Sequence, residues 1–292
     1  MSPRPVPLLL AAAVLLTATP VAASERLSVA VSLLPEAFLL DRVAAGGIET
    51  LVLVGPGDNE ATYSPSPAKL AALDNAGLWF TIDVPFEDAW KPRILRDRPE
   101  LKVVNLADGL PRRPIENHGG HDHAGAPDPH VWTDPRLMAR MALRVGEALG
   151  EEDPAGAEGY RRRARDLHDE LLSLHRELEQ LLAPVAGGTF IVFHPSWGYF
   201  ADAYNLRQLP IETGGHEPGP RALADLVNTG RAAGARAVFV QPQFSRRSAR
   251  AVAQALGADI VEADPLARDY IDNLRQVARR VAAALAPAEA TE

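Results

Sequence analysis

Residues 160–182 read YRRRARDLHDELLSLHRELEQLL, and within them Tyr160, Ala164, Leu167, Leu171, Leu174, Leu178 and Leu181 recur at spacings of 4, 3, 4, 3, 4 and 3. That is one apolar stripe down a long amphipathic helix. Pro154 and Pro184 bracket the segment, and a helix of about 30 residues reaches roughly 45 Å. Such a rod can cross a whole molecule, so it divides the chain into two halves. His168 and His175 fall off the stripe and read as part of a solvated face.

Both halves alternate short β-like runs with helical patterns. Before the rod, Leu27 to Leu34, Thr50 to Val54, Leu78 to Ile82 and Lys102 to Leu106 read as strands. Pro35 to Ala45, Pro67 to Asn75, Phe86 to Arg96 and Pro135 to Gly150 read as helices. After it, Phe190 to Phe193, Ala237 to Val240 and Asp259 to Glu262 read as strands, with helices at Ala222 to Ala233, Arg247 to Leu256 and Tyr270 to Leu285. Strands alternating with helices predict mostly parallel sheets covered on both faces. The fold class is therefore α/β, with two lobes joined by one long helix and no internal sequence repeat. The expected organisation is an N-terminal lobe over residues 24–150, a linking helix over 151–184 and a C-terminal lobe over 185–292.

The N-terminus sets the expected compartment. Arg4 is the only charge before Glu25; an apolar run from Leu8 to Leu16 and the small residues Val21-Ala22-Ala23 follow it. That pattern predicts a secretory signal peptide over residues 1–23 and export to the periplasm, since the run is too short to span a bilayer. The chain has no Cys, which removes disulfides, thiolate ligands and a lipid-attachment thiol. Its formal charge of −8 argues against a nucleic-acid partner.

Three segments carry strong metal ligands beside strands, where open α/β sheets bind their ligands. They are Asp128-Pro129-His130-Val131-Trp132-Thr133-Asp134-Pro135, His194-Pro195-Ser196-Trp197-Gly198-Tyr199-Phe200, and Asp264-Pro265-Leu266. Taken singly, each His or Asp also fits a capping or core role. Taken in order, with Ser32-Leu33-Leu34-Pro35 and residues 57–67, the set resembles the solute-binding proteins of zinc and manganese ABC importers, the ZnuA/TroA-like family. The resemblance covers nearly all of the chain after the signal segment. It implies two Rossmann-like lobes around a rigid helix, with metal in the cleft between them. It also implies His130, His194 and Asp264 as ligands. Two imidazoles and a carboxylate suit Zn(II), with Mn(II) the alternative cargo. The implied partner is the membrane permease of an ABC importer, and the expected receptor is a monomer without catalytic activity.

The family's first His precedes the Tyr of a Tyr-x-Pro-x-Pro motif by two residues. Here the motif is Tyr63-Ser64-Pro65-Ser66-Pro67, and the position is Ala61, which cannot ligate. Water as the fourth ligand is the reading adopted; Glu60, or a chelated metal, is the alternative. A stretch over residues 116–127 holds His118, His121 and His123 with Asp122 and reads as an exposed, metal-attracting loop. His216 reads as a turn residue. A zinc buffer or metallochaperone, a chelate receptor and a zinc hydrolase remain as other functions, but no His-Glu-x-x-His motif supports the last.

Overall fold

The computed structural model describes residues 27–116, 127–212, 219–244 and 246–286. The signal segment, His118, His121, His123 and His216 lie outside the described residues. In the N-terminal half, strands β1 (Ser28–Val31), β2 (Glu49–Val52), β3 (Leu78–Thr81) and β4 (Lys102–Asn105) alternate with helices α1 (Leu34–Ala44), α2 (Pro67–Leu73) and α3 (Pro85–Asp97). The strands form one sheet in the order β2-β1-β3-β4, all parallel. All four β3 residues are buried, as expected of a parallel strand covered on both faces.

Helices α4 (Pro135–Glu152) and α5 (Ala157–Leu182) follow. The C-terminal half then runs β5 (Thr189–Val192), α6 (Gly198–Ala203), β6 (Arg207–Pro210), α7 (Pro220–Ala232), β7 (Ala237–Val240), α8 (Arg246–Leu256), β8 (Asp259–Glu262) and α9 (Tyr270–Leu285). Its sheet has the order β6-β5-β7-β8, again all parallel. The two sheets therefore share one topology that the sequence does not show as a repeat.

Helix α5 is the predicted rod, 26 residues long, with Tyr160, Ala164, Leu167, Leu171, Leu174, Leu178 and Leu182 buried. The last buried position is Leu182, while Leu181 is half-buried. The helix packs on α4, on α1 from the N-terminal half and on α9 from the C-terminal half. Helices α4 and α5 touch almost backbone to backbone. A Cβ added at Gly146 would lie 2.5 Å from Ala164 Cβ, and one at Gly150 would lie 3.1 Å from Ala157 Cβ. His175 is not simply solvated: it is half-buried, its ring stacked on Tyr204 with centroids 5.4 Å apart.

Two elements escaped the sequence reading. Strand β6 reads Arg207-Gln208-Leu209-Pro210, with no alternation and a terminal Pro, which a sheet tolerates at the edge that β6 occupies. Helix α6 has six residues, too few to show a helical period. Both shape the site, because buried Gln208 accepts from Trp197 N (3.0 Å) and donates to Pro195 O (3.3 Å).

The N-terminal half also buries two acids. Glu36 accepts from Leu33 N (2.7 Å), and Glu87 accepts from Ile82 N (3.0 Å) and Asp83 N (2.8 Å). Burial, then repulsion from Glu87, raises Glu36 well above the carboxylate range. Burial pushes Glu87 up to about 7. A folded pKa above the unfolded value gives stability that is full below about 4.5 and is lost as pH rises through 7. Glu36→Gln removes one of the two raised acids, so the variant should lose less stability than the wild type between pH 5 and pH 8; denaturant titrations of both metal-free proteins at the two pH values check this. Gly146→Val should lower stability by about 1–3 kcal/mol through overpacking against Ala164, read from the same titrations at pH 7.

Candidate metal centre

The candidate ligands are delivered from the carboxyl ends of the strands. His194 stands two residues beyond β5 and Asp264 two beyond β8. Glu60 lies in the connection from β2 to α2. His130 precedes a short 3-10 turn, Val131–Thr133, that leads into α4. Asp134 caps α4 by accepting from Arg136 N (2.8 Å), so the start of that helix fixes the segment that carries His130.

Three donors converge. His130 Nε2 lies 3.3 Å from His194 Nε2 and 3.4 Å from Glu60 Oε1, and His194 Nε2 lies 3.7 Å from the same oxygen. For ligands about 2.0–2.1 Å from a tetrahedral zinc, the distance between neighbouring donors is about 3.3–3.4 Å. The two edges from His130 match one face of such a tetrahedron, and the third, at 3.7 Å, is slightly longer. Among the described residues this is the one group of three or more His, Asp or Glu with ligand atoms within 4.8 Å of one another.

Each imidazole is held from behind by a carboxylate. His130 Nδ1 pairs with Asp128 Oδ1 at 2.7 Å, and His194 Nδ1 pairs with Glu212 Oε1 at 2.7 Å. With Nδ1 engaged, Nε2 is the atom left to face an ion. Aromatic walls fix the ring planes: Trp132 lies 5.2 Å from His130, and Phe244 stacks on His194 at 5.1 Å. Trp132 in turn donates to Pro265 O (2.8 Å) and accepts on its carbonyl from Tyr270 Oη (2.7 Å). Glu60, His130 and His194 are 3%, 1% and 7% exposed, so water screens the group little.

The sequence reading gave the fourth position to water; the structure puts the Glu60 carboxylate beside both imidazoles. Asp264 stands outside this group. Its Oδ1 accepts from Gln243 Nε2 and from Leu266 N, both at 3.0 Å. It lines an open cavity of about 550 Å³ between the halves, with Leu34, Gly55, Lys69, Gln243 and Arg268. Glu212 and Gln241, which hold His194, carried no motif signal; they follow β6 and β7 and meet His194 only through the sheet order.

Burial works against a charged His130, but Asp128 and Glu60 outweigh it and push the ring up to about 9. Glu60 and Asp128 are both held low, against the effect of burial, chiefly by His130. The metal-free site therefore keeps a proton on His130 at neutral pH, and an incoming cation has to displace it. A free imidazole titrates near 6.5 and would place the acid weakening of metal binding there; the two carboxylates move it upward. Zinc affinity should fall about tenfold per pH unit on going down from pH 9, with close to one proton released per ion at pH 7. Calorimetry in buffers of different ionisation enthalpy counts that proton. A zinc affinity constant between pH 9 and pH 7 would exclude a protonated His130.

Residues 29–284 match the sequence family described as zinc-uptake complex component A, periplasmic. The high-affinity zinc uptake system protein ZnuA of Brucella abortus strain 2308 is 28% identical over 86% of this chain and 87% of its own length. A crystal structure of ZnuA superposes with a TM-score of 0.84 at 34% identity, covering 90% of this chain and all of that one. A zinc-bound ZnuA deletion mutant gives a TM-score of 0.83 at 35% identity over the same shares.

Proposed function

The chain belongs to the family of ZnuA, the periplasmic component of zinc-uptake complexes, and from that premise we propose that it captures Zn(II) and delivers it to the permease of an ABC importer. The observation that carries the reading is the triangle of His130 Nε2, His194 Nε2 and Glu60 Oε1, sized to one face of a zinc tetrahedron. His130 and His194 supply imidazoles, Glu60 a carboxylate, and Asp264 the fourth donor once it leaves Gln243. Two nitrogen donors favour Zn(II) over Mn(II), which stands lower in the divalent affinity order at such sites.

The receptor's lobes take residues 24–150 and 185–292, linked by 151–184, and residues 1–23 direct export. It acts as a monomer in the periplasm, binds no nucleic acid and performs no catalysis. A hydrolase needs a metal-bound water beside a free general base. Here the carboxylate beside the imidazoles is itself within ligand distance, and Asp128 and Glu212 are committed to the far sides of the rings.

Titration of the metal-stripped mature protein with zinc should show one tight site, lost in the His130→Ala, His194→Ala double variant and weaker for Mn(II) in the wild type. Weak binding that survives the double variant would move the metal to residues 116–127 and make a zinc buffer or chelate receptor the better account.

A further inference from the structure

Arg113 lies beyond β4, on the way to residues 116–127, and is not a ligand in the proposed site. Its guanidinium engages Asp128, the carboxylate behind His130, from the side away from that ring's bond. Three of its nitrogens each reach a different acid. Nη1 donates to Asp128 Oδ2 (3.0 Å), Nε to Asp202 Oδ2 (2.8 Å) and Nη2 to Glu116 Oε1 (2.5 Å). Asp128 belongs to the segment that carries His130, whereas Asp202 sits on α6, in the segment that follows His194. One side chain, 14% exposed, thus ties the two His-bearing segments together.

Further bonds make the junction specific. Tyr199 Oη donates to Asp128 O (2.9 Å) and accepts from Arg113 N (3.2 Å), while the guanidinium lies 5.9 Å from the centre of the Tyr199 ring. A Cβ on Gly198 would fall 1.6 Å from Arg113 Nη1 and 3.0 Å from Asp128 Oδ2. Only a glycine at the head of α6 leaves room for the guanidinium, which explains Gly198 in the sequence His194-Pro195-Ser196-Trp197-Gly198.

We propose that Arg113 is a positioning residue for metal binding: it locks Asp128, and through it the His130 ring, in register with the C-terminal half. The reasoning is geometric. Asp128 is fully buried and has two oxygens; Oδ1 holds His130 through both Nδ1 and the backbone N, and Oδ2 is held by Arg113. With both oxygens engaged the carboxylate cannot turn, so the ring it supports cannot turn either. Removing the guanidinium leaves Oδ2 buried without this partner, frees the carboxylate to rotate and cuts the bridge from Asp128 to Asp202 on α6. A lysine at this position supplies one point charge but cannot fork to three acids.

The proposal rests on the reading of the His130 and His194 group as the zinc site, and the test separates the two. Zinc affinity, zinc release to a fast chelator and the visible spectrum of the Co(II)-loaded protein are measured for the wild type, Arg113→Met, Arg113→Lys, Gly198→Ala and Asp202→Asn. Melting of each metal-free protein is followed alongside. Arg113→Met should bind zinc about 10- to 100-fold more weakly, mainly through faster release, with altered Co(II) bands. Arg113→Lys should fall between it and the wild type. Gly198→Ala should shift the same readouts as Arg113→Met without removing a charge. Asp202→Asn, which removes the charge and so weakens only the arm to α6, should speed release and leave the Co(II) spectrum unchanged. If Arg113→Lys, Gly198→Ala and Asp202→Asn lower the melting temperature yet keep wild-type release and spectra, Arg113 is a stabilising ion pair only and the proposal fails, whether or not Arg113→Met folds. Absence of a tight zinc site in the wild type would instead overturn the proposed function.

Discussion

The close contact of α4 on α5 is the constraint from which the other positions follow. Gly146 and Gly150 on one helix and Ala164 and Ala157 on the other let the backbones approach within side-chain-free distance. Helix α4 starts at Pro135, five residues after His130, so where α4 lies decides where that imidazole lies. Helix α5 carries the contact to both halves, through α1 on one side and α9 on the other. Those two helices also meet directly, with Phe38 stacked on Tyr270 at 5.4 Å. Asp41 of α1 pairs with Arg268, just before α9, at 2.8 Å. The rod is thus a shared wall on which both halves pack, and one apolar cluster runs through both, beside a second that belongs to the C-terminal half.

Inside that frame the site is an arrangement of charges that burial makes costly. Glu60, His130, Asp128, His194 and Glu212 are all buried. Buried ionised groups are tolerated when each has a partner of opposite sign or a set of hydrogen bonds. Here a proton on His130 does that work between Asp128 and Glu60. A divalent cation at the same point neutralises the same acids more fully, and the pre-set rings and carboxylates need no large rearrangement to accept it.

Much of this was legible in the chain, and the misses share a cause. The 4-3 spacing of the stripe announced α5, and the limits of α9, Tyr270 and Leu285, coincide with the reading from periodicity. His130 and His194 stood out because prolines and aromatics flank them. Strand β6 did not, since an edge strand ending in Pro210 obeys neither β alternation nor composition. Glu60 was visible only as a neighbour of Ala61. Its place beside the imidazoles comes from the course of residues 53–66 after β2, which no local pattern encodes. Glu212, Gln241 and Arg113 act through contacts across 15 to 89 positions of sequence and lack any local signature. His175 reads as a surface residue from its helical position and is covered by Tyr204 from outside the helix.

The burial of the three converging donors has a thermodynamic corollary. An ion enclosed this far from water leaves only when the enclosure opens, so retention and hand-over are governed by one equilibrium between shut and open forms. A partner that prefers the open form must weaken the grip on zinc by some factor, and reciprocity requires zinc to weaken the partner's grip by the same factor. A thousandfold loosening corresponds to about 4 kcal/mol that docking has to contribute. The 1% exposure of His130 thus sets the terms of exchange between the protein and whatever unloads it: the tighter the enclosure, the stronger the preference for the open form that unloading demands.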